Sequence, residues 1–243
     1  MFFERIGNQD SNIRLIWLHG WGVDHTSLMQ LSNNFLEYDN YLIDLYGFGK
    51  SKEPNKVWDT NDYANSINDF LEKLDNKKTI IIGHSFGGRL CIQLGSNYSK
   101  NIDGIVLIGG AGLQYKNNTI FKLYKILVKI FSPTIKKIFP FISKLNLGSS
   151  DYRKASPLMK EIFKKTINEN LEEISKKIEL PTLLIYGERD TATPVYFGEI
   201  YNKNIKNSKL EVIAKANHYS LLFENSKQVQ YLIKKFLKVH YNE

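Results

Sequence analysis

Three side chains, far apart in the sequence, are of the types that acyl transfer needs. Ser85 lies in G-H-S-F-G, Asp190 in L-L-I-Y-G-E-R-D-T-A-T-P and His218 in A-K-A-N-H-Y-S-L-L-F-E. A serine hydroxyl becomes a useful nucleophile only when a base takes its proton. The base in turn needs a carboxylate on its other ring nitrogen to fix tautomer and orientation. Of the five histidines, His19 and His25 belong to an early loop and His240 is near the chain end, on a helix expected to fray. His84 adjoins Ser85, but a sharp turn there should point its side chain elsewhere. His218 follows the last apolar run, where a loop at a strand's carboxyl end places functional groups, and is the expected general base. Asp190 lies further past its strand than Glu188 and is the expected orienting acid. Glu188 reads as a solvated or structural loop charge.

Attack on a carbonyl puts negative charge on its oxygen, so donors must already be in place. The residue after the serine, Phe86, offers one backbone N–H. Trp21, between Gly20 and Gly22 in L-H-G-W-G, offers the second. Read more plainly, H-G-W-G is a glycine turn. Gly20, Trp21, Phe86 and Tyr219 are the residues expected to line the substrate.

Positioning these groups requires strands that end together. Six short β-branched or aliphatic runs read as buried strands: 14–18, 40–43, 79–82, 104–108, 182–186 and 209–213. Helical patterns separate them. Over Thr60 to Leu74 the apolar residues Tyr63, Ile67, Phe70, Leu71 and Leu74 share one face. This alternation predicts a mostly parallel twisted sheet with helices on both faces. It breaks over 113–180, where only helical patterns occur, interrupted at Pro133, Pro140, Gly148 and Pro157. The expected organisation is a core of 1–112 and 181–243 with a helical insertion at 113–180.

The chain has 243 residues and a formal charge of +8. The insertion holds 14 Lys and Arg against 6 Asp and Glu, so the whole excess is located there. Lys122, Lys125 and Lys129 form a stripe on F-K-L-Y-K-I-L-V-K-I-F, which suits either a basic amphipathic surface helix or an ordinary helix with its lysines in solvent. An acidic carrier protein or an anionic membrane surface would complement it. Nucleic acid is not expected, because no recognition motif accompanies the charge. No apolar run reaches the roughly 18 residues of a membrane span, and the first residues do not read as a secretory signal. A single cysteine, Cys91, leaves no intramolecular disulfide and no zinc-ligand cluster, and reads as core. The expectation is a soluble cytoplasmic protein without metal or cofactor.

Over nearly the whole chain, L-H-G-W-G, D-L-Y-G-F-G-K-S, G-H-S-F-G-G, L-L-I-Y-G-E-R-D-T-A-T-P and A-N-H-Y resemble the α/β-hydrolase superfamily. The resemblance implies an α/β-hydrolase fold with a nucleophile elbow at Ser85 and triad residues in the order Ser, Asp, His. It also implies that 113–180 is a lid. Members usually have Pro where this chain has Tyr46. Branches with an aspartate nucleophile are disfavoured by Ser85. The implied activity is hydrolysis of a small-molecule carboxylic ester through an acyl-enzyme. Lipase action at a membrane, C–C bond hydrolysis and non-catalytic ligand binding stay open. The small lid and tryptophan loop are similar to the esterase branch that demethylates pimeloyl-acyl carrier protein methyl ester, although that branch commonly reads G-W-S-L-G at the elbow.

Overall fold

The computed structural model describes residues 1–115 and 155–241. Seven strands form one sheet: β1 (Phe2–Gly7), β2 (Ile13–Leu18), β3 (Asp39–Asp44), β4 (Lys78–His84), β5 (Gly104–Ile108), β6 (Thr182–Gly187) and β7 (Ser208–Ile213). Their order across the sheet is β1-β3-β2-β4-β5-β6-β7. Only β1 is antiparallel to its neighbour. The described helices are α1 (Met29–Ser32), α2 (Thr60–Leu71), α3 (Phe86–Asn97), α4 (Pro157–Asn168), α5 (Glu172–Ser175), α6 (Val195–Asn204) and α7 (Ser226–Tyr241).

The six expected strands are present, each within two residues of the predicted ends. Every residue of β2, β3, β5 and β6 is buried. Their side chains alternate between two cores, as strand geometry requires. Ile16, Ile43, Ile81, Leu107 and Leu184 pack beneath α2, α3 and α6. Leu15, Leu42, Ile80, Val106 and Ile185 pack beneath α7 and the α1 segment. The sheet is therefore covered on both faces, which is why these strands read as continuous apolar runs.

β1 has no counterpart among the expected strands. Its residues are half-buried or exposed, and F-F-E-R-I-G carries no run of aliphatics. Pairing with β3 supplies what its side chains do not. Helix α2 stops at Leu71, not Leu74. Asp59 caps its start reciprocally with Asp62, and Leu74 N–H closes the end by donating to Leu71 O at 3.0 Å. Pro157 opens α4 at its first turn, with Ser156 accepting from Met159 N–H. The lysine-striped segment 121–131, with Pro133, Pro140 and Gly148, lies outside the described residues. No described helix is long and apolar enough to cross a membrane.

The crossing of β2 and α3 has no spare room. A Cβ on Gly87 would overlap the Leu18 carbonyl oxygen and lie 2.7 Å from its carbon. The Gly87 N–H is held by His19 O at 3.1 Å, so this backbone cannot easily retreat. Gly87→Ala is expected to cost about 2–3 kcal/mol, as overpacking of a rigid core does. Urea denaturation checks this as a lower midpoint at unchanged slope.

Candidate functional site

β4 ends at His84 and α3 begins at Phe86, leaving Ser85 to make the whole turn. It does so at φ 53 and ψ −107, a conformation that costs a non-glycine residue free energy. Neighbouring backbone fixes it. Ser85 N–H donates to Ile108 O at 3.1 Å, and its carbonyl accepts from Gly88 and Ala111 N–H, both at 3.0 Å. Gly83 is needed because a Cβ there would come within 2.6 Å of Cys91 Sγ. Cys91 is buried beneath the turn, and burial pushes its thiol up, leaving it an inert core residue.

The loop after β2 is pinned by His19. Its Nδ1 lies 2.7 Å from Gly20 O, and its Nε2 accepts from Leu45 N–H at 3.1 Å. These partners require a neutral ring protonated at Nδ1, and burial lowers its pKa to about 4. His19 thereby ties Gly20 and Trp21 to the end of β3. Among the described residues, neither the Trp21 nor the Phe86 amide donates a hydrogen bond.

Asp190 and His218, 28 positions apart, meet at the ends of β6 and β7. His218 Nδ1 lies 2.7 Å from Asp190 Oδ2. Ala192 and Thr193 N–H donate to Oδ1, each at 2.8 Å, and Thr193 Oγ1 donates to Oδ2 at 2.8 Å. Burial works to raise the Asp190 pKa. The hydrogen bond and charge of His218, with the Thr193 donors, outweigh it and hold the carboxyl below its ordinary value. An ionised acceptor at Nδ1 puts the neutral imidazole's proton there, so Nε2 is the free base. Glu188 turns away, accepting from Lys215 N–H at 2.8 Å, and so fixes the left-handed Lys215 of the β7 loop. Among the described residues Ser85 Oγ is not hydrogen-bonded. Such contacts often close only around substrate.

Aromatic rings surround Trp21. Trp21 packs against Phe48, Phe86 and Phe163 with centroids 4.8, 5.2 and 5.0 Å away. Phe163 comes from α4, so the described end of the insertion reaches the site. A cavity of about 400 Å³ adjoins Trp21 and is lined by Asp24, Phe48, Glu53, Ser156 and Met159. A larger one, about 540 Å³, lies between α7 and the starts of β6 and β7, at the far end of the strands. Tyr219 is 64% exposed beside His218.

The D-L-Y-G-F-G-K-S segment serves loop structure. Asp44 Oδ1 accepts from His25 N–H at 2.9 Å and faces His25 Nδ1 at 2.7 Å, while Oδ2 accepts from Lys50 N–H at 2.8 Å. Ser51 Oγ donates to Asp44 O at 2.6 Å. Asp24, His25 and Asp44 form a grouping of metal-ligand type. However, their atoms are engaged with each other and with Glu4 and Thr26. Tyr46, at the position where family members usually have proline, meets Trp58 edge to face with centroids 5.1 Å apart and accepts from Tyr63 through its carbonyl.

One expectation is corrected. The elbow does not send His84 away from the site. Its ring packs on His218 with centroids 4.7 Å apart. Phe48, which lines the cavity beside Trp21, and Phe163, which packs on Trp21, were also missed, since nothing local marks an aromatic for such a contact.

The buried histidines make stability acid-sensitive. In the unfolded chain each has a pKa near 6.5, whereas the fold lowers His19 to about 4 and His84 to about 3. Between these values the unfolded state binds more protons, so stability falls as pH falls. From pH 7 to pH 5 the expected loss is about 2 kcal/mol per histidine. Urea midpoints at the two pH values measure it, and equal midpoints would contradict the assignment of both rings as neutral.

A family model described as "alpha/beta hydrolase fold" matches residues 13–132, and one described as "TAP-like protein" matches 160–239. The chain is 29% identical to the pimeloyl-[acyl-carrier protein] methyl ester esterase of Wigglesworthia glossinidia brevipalpis, over 97% of this chain and 98% of that one. It is 27% identical to a proline iminopeptidase of Saccharolobus solfataricus, over 100% and 90%. Among solved structures, MenH from S. aureus superposes with a TM-score of 0.75 at 23% identity, covering 98% of each chain.

Proposed function

Because this chain belongs to the α/β-hydrolase superfamily, we propose that it hydrolyses carboxylic esters by acyl transfer through Ser85. The observation that carries this reading is the coincidence of two features at the carboxyl edge of one sheet, beyond β4 and beyond β6 and β7. One is a serine held in a strained turn at φ 53; the other is a histidine–carboxylate pair 2.7 Å apart.

Ser85 Oγ attacks the ester carbonyl as His218 Nε2 takes its proton. Asp190 holds the ring and stabilises the imidazolium. The Trp21 and Phe86 amides receive the developing oxyanion, each such donor being worth on the order of 100-fold in rate. His218 returns the proton to the departing alcohol. Water then attacks the acyl-enzyme with His218 again as base, releasing the acid and Ser85. The partly buried rings of Trp21, Phe48 and Phe163 would offer an acyl chain apolar surface, with Phe86 packed behind them. A proline iminopeptidase among the relatives uses a peptide substrate by name.

The first specific substrate to test is the methyl ester of an acyl chain on an acidic carrier protein. It is named for the 29% identical relative, and the eight excess positive charges of 113–180 complement it. Purified protein should hydrolyse short p-nitrophenyl esters, and should cleave the carrier-bound methyl ester faster than the free one, with the advantage lost at high salt. Equal rates for both would leave the ester chemistry and remove the carrier. Retention of a ligand with no turnover would favour a binding protein instead.

A further inference from the structure

His84 is 3% exposed, polar and unused in the steps above. Its Nε2 lies 3.2 Å from the His218 carbonyl oxygen. A carbonyl only accepts, so Nε2 carries the proton and Nδ1 of the neutral ring is a bare acceptor. That Nδ1 is buried without a partner among the described residues. It faces Gly20: a Cβ built there would lie 3.2 Å from Nδ1 and 3.4 Å from Ser85 Cβ. The ring thus sits between the loop that carries the base and the loop that carries the oxyanion donor, and it lies against the His218 imidazole at 39°.

Resting on the ester-hydrolase reading, we infer that His84 is a positioning residue: it holds His218 by a hydrogen bond to its backbone carbonyl and by ring contact, and so fixes where Nε2 points. The His218 ring is otherwise tethered at Nδ1 by Asp190 and Thr193 and touched at its edge by Tyr219, 5.5 Å away. A tether at one end leaves the other nitrogen free to swing, and a misplacement of about 1 Å can cost on the order of 100-fold in rate. Three titratable groups act on His84: His218 and Asp190 from the β7 and β6 ends, and His19 from the β2 loop. Burial, and then His218, keep it neutral, with a pKa of about 3. It therefore does not oppose the imidazolium that forms beside it.

The test compares His84→Phe, which keeps a ring and loses the donor, with His84→Gln, which keeps an amide donor, and with His84→Leu. For a p-nitrophenyl ester, His84→Phe should lower kcat by about 10- to 100-fold with KM within about 2-fold. Its melting temperature should not fall in step, because the unpartnered Nδ1 goes with the ring. His84→Gln should recover most of kcat. A His84→Phe enzyme with wild-type kcat, or Gln and Leu variants with equal kcat, would overturn the inference. Should His84→Phe not fold, the Gln–Leu comparison alone decides. A fluorophosphonate probe keeps the two readings apart. Wild-type protein that neither turns over ester nor labels at Ser85 contradicts the ester-hydrolase reading. Labelling of wild type and His84→Phe at equal rates contradicts only this inference.

Discussion

Ser85→Ala is expected to lower kcat for a p-nitrophenyl ester by about 10⁵- to 10⁶-fold, the scale seen when a covalent nucleophile is removed from an acyl-transfer site. The turn itself should survive. It is held by backbone hydrogen bonds to Ile108, Gly88 and Ala111 and by the close approaches at Gly83 and Gly87, none of which uses the Ser85 hydroxyl. The variant should therefore melt near the wild-type temperature while losing both turnover and labelling by a fluorophosphonate. More than about one part in 100 of the activity remaining would be far above what oxyanion donors and binding sustain without a nucleophile. That outcome would place the chemistry elsewhere.

Asp190→Asn should lower kcat by about 10⁴-fold, through tautomer choice. The geometry dictates how the amide must sit. Ala192 and Thr193 N–H both donate to Oδ1, so the amide oxygen has to stay there. The NH₂ then takes the place of Oδ2, facing His218 Nδ1. A donor there forces Nδ1 to accept, and the ring proton moves to Nε2. That is the atom required to take the Ser85 proton. Thr193 Oγ1 can rotate to accept from the amide, so the expected stability loss is only about 1–2 kcal/mol. Steady-state kinetics near neutral pH, with circular dichroism to show a folded protein, checks this. A loss below about tenfold would mean that Asp190 does not orient His218.

The strands were legible because burial on both faces leaves little choice but aliphatic and β-branched residues. Ile80 to Ile82, Ile105 to Ile108 and Leu183 to Ile185 show it, all essentially buried. β1 was not legible, because an edge strand with one neighbour keeps Glu4 and Arg5 partly in water and gains its order from pairing with β3. Ser85, Asp190 and His218 could be singled out because each follows a recognisable strand end in a glycine-bearing or polar loop. The sequence could not show that His84, 134 residues away, rests on His218. That contact depends on where β4 and β7 finish across the sheet, and no local periodicity carries it. The same holds for Phe163 against Trp21.

The central claim is that Ser85 is the group that becomes acylated. Intact-protein mass spectrometry after treatment with a fluorophosphonate, followed by peptide mapping, tests it most directly. The expected result is one adduct per chain, located on the peptide that contains Gly-His-Ser-Phe-Gly and absent from Ser85→Ala. No adduct on folded wild-type protein, or an adduct that persists in Ser85→Ala, would contradict the account.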